Sequence, residues 1–129
     1  MEKKKYILLE DLEVYKLARE LSKTGWEIYI LLDWQTKKVM GDQFISAIDS
    51  VGANIAEGYG RFHYLDKIKF YYNARASLAE GVDHWLELLK ERNKIDEQRY
   101  SALKENGIKL SIKLNNFISA TYKSKNNES

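Results

Sequence analysis

Two polar side chains sit where the spacing of this sequence expects hydrocarbon. Arg75 falls within the stripe Leu65, Ile68, Tyr72, Arg75, Ala79, Val82, Leu86 and Leu89, and Asn54 within Met40, Phe44, Ala47, Val51, Asn54 and Gly58. A buried guanidinium needs a carboxylate, several carbonyls or water around it. If the chain reverses near Arg61 and Phe62, Arg75 lies level with about Asp49, and Glu57 with about Lys67. Asp49, or an acid from another helix or subunit, is therefore the expected partner, in a network that holds helix register. Asn54 has two readings: a buried amide that selects helix alignment or oligomeric state, or a side chain that bonds a backbone group near a helix end.

Other clusters carry weaker chemistry. Arg61, Lys67 and Lys69 are interleaved with Phe62, Tyr64, Phe70 and Tyr71. Cations attract phosphates and exposed rings stack on unpaired bases, so these three basic residues are the candidate nucleic-acid contacts. The competing reading makes Tyr71 a core residue and the charges a solvated helix face. Gly58-Tyr59-Gly60 suggests a phosphate loop, but no strand precedes it and no Gly-Lys-Ser/Thr follows, so a tight inter-helix turn explains it better. His63 with Asp66, and Glu80 with His84, could share a helix face, yet no Glu-x-x-His unit of the di-iron bundle type occurs. Ser46, Ser50 and Ser77 have no base at an arguable spacing, and the chain has no cysteine. The expectation is a protein without catalytic residues, metal or cofactor.

These side chains must be positioned by helices. Val14, Ala18, Leu21, Gly25, Ile28 and Leu32 recur at steps of four and three, which places them on one face of a helix over about 11–32 capped by Asp11. The same periodicity predicts helices over about 37–59, 64–92 and 96–122. Asp33–Thr36 and Asn93–Asp96 act as connections, Asp96 as a cap, and the polar tail from Lys123 frays. Gly58 and Gly60 end the second helix, glycine being able to take left-handed backbone angles there. In the fourth, Tyr100, Leu103, Gly107, Leu110, Leu114 and Phe117 form the seam. Four long amphipathic helices with short connections imply a single all-α domain over residues 1–129, an antiparallel up-down-up-down four-helix bundle.

Composition agrees. The 129 residues suffice for one core, there is no proline to kink a long helix, and 21 basic against 19 acidic residues are too balanced to demand nucleic acid. Lys3, Lys4 and Lys5 precede an apolar run too short for a signal sequence, and no stretch approaches a membrane span. The expected location is the cytoplasm, with no membrane partner. Leu17, Trp26, Ile45, Phe70 and Leu88 lie outside the seams, more apolar surface than one bundle easily buries, which predicts self-association.

The segments DLEVYKL (Asp11–Leu17), NIAEGYGR (Asn54–Arg61) and ARASLAE (Ala74–Glu80) resemble the 23S rRNA intervening-sequence protein family, which is encoded within insertions in bacterial large-subunit rRNA genes. The resemblance extends from about Asp11 to Phe117, and NIAEGYGR is its most specific part. It implies a closed four-helix bundle that assembles as a homopentamer, with no established catalytic activity. The family is similar to accessory proteins of diversity-generating retroelements, basic pentameric barrels that work with a reverse transcriptase and nucleic acid. RNA or DNA, and a protein such as a reverse transcriptase, are thus the partners that the resemblance implies. In this setting Asn54, Glu57, Gly58, Gly60, Arg75, Glu80 and Asp49 are architectural. Family members often carry a basic pair after the glutamine of the second helix and a proline before the asparagine. Here Gln43 is followed by Phe44-Ile45, Asp49 adds an acid and Gly52 replaces the proline.

The expected role is a non-enzymatic oligomeric scaffold or adaptor for nucleic acid or a nucleic-acid enzyme. The missing basic pair favours its rival, a purely structural homo-oligomer. An enzyme with a site inside the bundle or between subunits is the third reading, and would need convergent ionisable groups in a polar pocket.

Overall fold

The computed structural model describes residues 6–128, with Lys3, Lys4, Lys5 and Ser129 outside the described residues. A 3-10 turn at Leu9–Asp11 leads into α1 (Glu13–Leu31). Helix α2 is built of Trp34–Thr36, a π-helical stretch Lys37–Gly41 and Asp42–Tyr59. Helix α3 joins Tyr64–Leu78, a longer π-helical stretch Ala79–Trp85 and Leu86–Glu91, and α4 is Glu97–Glu128.

The short connections reverse the chain three times, and cross-helix contacts confirm the antiparallel course. Between α1 and α2, Tyr29 donates to Asp42 at 2.6 Å while Gly25 abuts Ile48. Between α3 and α4, Tyr72 meets Tyr122 at 2.9 Å and Tyr100 donates to Glu87 at 2.5 Å, so one helix descends as the other rises. α1 packs on α2 and α4, and α3 completes the ring against α2 and α4. The centre is hydrocarbon: Phe44, Ile48, Leu86, Leu103, Leu110 and Leu114 are fully enclosed. Each such side chain contributes about 1.5–3 kcal/mol relative to exposure.

The expected seam of α1 is buried throughout, as is that of α2 except at half-buried Asn54. Other details differ. Asp11 does not cap α1, whose N-cap is Leu12 with no side-chain bond. Asp33 caps α2 instead, accepting from the Thr36 amide at 2.8 Å and its hydroxyl at 3.0 Å, so the helix starts three residues earlier than its hydrophobic pattern suggests. No described glycine has positive φ, and Gly60 closes α2 at φ −79°. The left-handed residue is Asn93 (φ 56°), where α3 ends with Lys94 donating to Leu89 and Asn93 to Lys90. Asp96 caps α4 as expected, accepting from the Arg99 amide at 2.8 Å. Nothing after Tyr122 breaks α4, which continues to Glu128.

The largest departure is in α3. Upstream, Ile68 is buried as expected, but Leu65 is exposed and Tyr71, Ala74 and Leu78 take the core places expected of Tyr72, Arg75 and Ala79, whereas Val82, Leu86 and Leu89 are buried as expected. Ala74, Leu78, Val82 and Leu86 follow one another at steps of four. In an α-helix each such step overshoots a turn by about 40°. The wider π-helical turn across Ala79–Trp85 absorbs that drift.

Glycines set the inter-helix spacing. A Cβ on Gly81 would lie 2.7 Å from Ile48 Cδ1, one on Gly25 2.9 Å from Ile48 Cγ2, and one on Gly107 2.9 Å from Val82 Cγ1. A Cβ on Gly58 would lie 2.7 Å from Tyr71 Cε1 and 2.9 Å from Phe70 Cβ. Large side chains of one helix thus occupy notches in another. Gly58→Ala should lower stability by about 1–3 kcal/mol through overpacking. Gly60→Ala, whose nearest neighbours are at 3.7 and 3.8 Å, should leave stability unchanged or raise it by up to about 1 kcal/mol. Urea denaturation of both variants checks the pair.

Acidic groups of α3 are neutralised from α4. Glu87 accepts from Tyr100 and from Lys104 at 2.9 Å, and these bonds, the tyrosine's first, hold its carboxyl below the ordinary range. The same bond to Glu87 raises Lys104. A depressed carboxylate stabilises the fold above its unfolded pKa, and that contribution fades as pH falls through the folded value; the raised lysine loses its share only at alkaline pH. Stability should therefore decline below the ordinary glutamate pKa of about 4.3. Glu87→Gln should flatten that acid limb, with Asp33 and Asp96, also lowered by their capping bonds, retaining the rest. Thermal melts across the acid range measure it.

Candidate nucleic-acid interface

The α2–α3 turn gathers the cations that sequence spacing singles out. α2 ends at Tyr59, and Gly60, Arg61, Phe62 and His63 carry the chain to Tyr64, where α3 begins. Gly58 lets the helices close here, seating Tyr71 and Phe70 against the last turn of α2. Lys67, in the first turns of α3, reaches back and donates to the Tyr59 carbonyl at 3.0 Å. A cation at this helix end satisfies an unpaired carbonyl and complements the helix dipole. The ammonium is half-buried, and burial lowers its pKa from the ordinary lysine value. Its nitrogen also lies 5.5 Å from the centre of the Tyr59 ring.

Arg61 is exposed but engaged. Its guanidinium stacks 4.8 Å from the centre of Phe70 and lies 3.8 Å from Glu57. Phe62 projects into solvent with 88% of its surface accessible, touching the His63 ring at 5.2 Å and nearly perpendicular to it. The N-terminal segment crosses beside this turn, the Tyr59 hydroxyl donating to the Ile7 carbonyl. Between them lies a cleft of about 530 Å³ bordered by Tyr6, Arg61, Phe62, His63, Tyr64 and Lys67.

The structure therefore brings Arg61 and Lys67 together but not Lys69. Two residues of helix separate Lys67 from Lys69, a rotation of roughly 200°, and Lys69 is exposed on another side of α3. Of the aromatic residues in the motif, Tyr71 is buried core and Phe70 lies under Arg61. Tyr6 and Tyr59 were not legible as part of the site, because the first is far away in sequence and the second reads as the end of a helix stripe.

Within one chain the expected structural network does not form. Arg75 is exposed, donates to Asn115 Oδ1 at 3.1 Å and stacks 4.7 Å over Tyr72. Gly58 against Tyr71, and Ile48 against Gly81, set a register that places Arg75 level with Asn54 rather than Asp49. Asp49 is exposed beside Tyr15 and Arg19 in a groove between α1 and α2. Asn54 donates to the Ser50 carbonyl at 2.9 Å, the local reading of that residue. Glu57 pairs with Arg61, and Glu80 accepts from the Trp85 indole at 3.0 Å. These are separate local contacts. Gly58 is architectural through its notch, whereas Gly60 is exposed. His63 and His84 are also exposed, and no group of three metal-ligating side chains occurs among the described residues. No described helix is long and apolar enough to cross a membrane.

Comparison with known proteins bears on the family and the fold. The family model described as 23S rRNA-intervening sequence protein matches residues 10–116. A crystal structure from Bacteroides thetaiotaomicron VPI-5482, described as a protein with unknown function from the S23 ribosomal protein family, superposes with a TM-score of 0.76 at 25% identity. It covers 83% of this chain and 96% of its own. No match was found among curated proteins.

The exposure of Arg75 gives a direct check on the position of the seam. Arg75→Met should cost less than about 1 kcal/mol in chemical denaturation, the worth of an exposed cation–ring contact. A loss of several kcal/mol would return Arg75 to the interior.

Proposed function

The chain belongs to the 23S rRNA-intervening sequence protein family, and we propose that it acts in the cytoplasm as a non-enzymatic scaffold that assembles from copies of itself. The observation that carries this reading is the distribution of apolar side chains left in water. Ile108 and Ile112, one turn apart on α4, flank a groove of about 330 Å³ toward α3, floored by Leu78, Val82 and Gly107. Trp26 and Ile30, also one turn apart, are more than half exposed on α1. Of the residues expected to drive association, Leu17, Ile45 and Leu88 pack partly on the core and Phe70 lies under Arg61, which leaves Trp26.

Two apolar patches on different helices suit a head-to-tail contact, which closes into a ring when the rotation per subunit allows. The family resemblance supplies the number five for that ring. A hydrocarbon interior, in which every buried side-chain nitrogen and oxygen among the described residues has a partner, favours a scaffold over an enzyme with a site inside the bundle. Nucleic acid, with or without a reverse-transcriptase-like partner, is the cargo that the Arg61–Lys67 turn favours. Under the rival reading, a purely structural oligomer, that turn stays empty.

Light scattering after size exclusion checks assembly. The wild type should elute at a multiple of 15.1 kDa. The double variant Ile108→Glu, Ile112→Glu should shift to monomer with its helical circular dichroism unchanged. A wild type that is monomeric at micromolar concentration would overturn the scaffold.

A further inference from the structure

We propose that the cleft beside the α2–α3 turn receives one unpaired base and its neighbouring phosphate, the base stacking on Phe62 and the phosphate meeting Lys67. This rests on the nucleic-acid cargo named above and specifies its form: a single strand or a free nucleotide, not a duplex.

Three independent features of the cleft point to that chemistry. The first is Lys67. It is a partly desolvated cation whose hydrogen bond goes to a neutral carbonyl, and no carboxylate lies within ion-pair distance among the described residues. An ammonium has three donors, so it can donate to a phosphate oxygen without giving up the Tyr59 bond. Arg61, by contrast, is already occupied by Glu57 and Phe70 and adds only its field.

The second is aromatic surface held in water. Phe62 is 88% and Tyr6 85% exposed, yet both border the same concavity. Neither ring is needed by the core. A π-face beside a cation accepts any base, and base–aromatic stacking is worth about 1–3 kcal/mol per base. An acidic peptide would use the cation and waste the rings.

The third is size. About 530 Å³ is within the usual range for a small ligand and admits a nucleotide unit. A duplex keeps its base faces stacked on each other, so it could use only Lys67 and the surrounding charge.

The experiment is anisotropy titration of a short labelled single strand of RNA, competed with the unlabelled strand, its duplex, AMP and inorganic phosphate. The strand should compete better than the duplex, and phosphate alone poorly. Phe62→Ala removes only exposed surface and should weaken strand binding by about tenfold, with Phe62→Trp restoring it. Lys67→Gln should weaken binding and reduce the salt dependence by about one phosphate contact. AMP competing in a Phe62-dependent way identifies the free nucleotide as a ligand of the cleft. Phe62-dependent binding of the strand with no competition by AMP identifies the polymer. Either supports the proposal. Strand binding unchanged in Phe62→Ala, or equal binding of duplex, overturns it while leaving the nucleic-acid cargo in place. No retention of any nucleic acid at low salt overturns both.

Discussion

Close approach of helix backbones at glycine notches is the constraint on which the rest of this bundle depends. Ile48 of α2 fills the space left by Gly25 of α1 and Gly81 of α3, so one side chain fixes the level of three helices. Val82 against Gly107 ties α3 to α4, and Tyr71 against Gly58 closes the end near the α2–α3 turn. A hydrophobic stripe can slide by a turn and still bury itself. A bulky side chain in a notch one methyl group too small for anything else cannot, and that is how a generally greasy pattern becomes one register.

The π-helical stretch of α3 follows from that register. Its core residues advance by four through Ala74, Leu78, Val82 and Leu86, and the wider turn keeps them facing inward. It also decides which polar groups leave the interior. Arg75 turns out to Tyr72 and Asn115, and Glu80 out to Trp85. The centre is left to hydrocarbon, and the chemistry of the molecule moves to its faces and its ends.

The α2–α3 turn shows how packing builds a site indirectly. Gly58 brings the helices together, Phe70 then lies where it supports Arg61, and Lys67 comes within reach of the carbonyl that ends α2. No core role remains for Phe62, and the turn presents its ring beside a cation that has no carboxylate partner among the described residues. The lateral faces are separate from this end of the bundle, so assembly through Ile108 and Ile112 would leave the cleft accessible.

By itself the sequence determined the helices, their approximate limits, the core faces of α1, α2 and α4, and the family. These depend on local periodicity, and α-helical geometry converts residue spacing directly into direction. The caps at Asp33 and Asp96 and the left-handed Asn93 are also local, although Asp33 was hidden because its helix begins before its apolar stripe does. Only the tertiary structure decided the seam of upstream α3, because a π-helical turn changes the angle per residue and so invalidates the rule that spacing relies on. Likewise only it joined Tyr6 to Tyr59 and Phe62 and set Lys67 against the end of α2 beside Arg61. Convergence in space depends on where chain segments cross, and no periodicity within one segment contains that information.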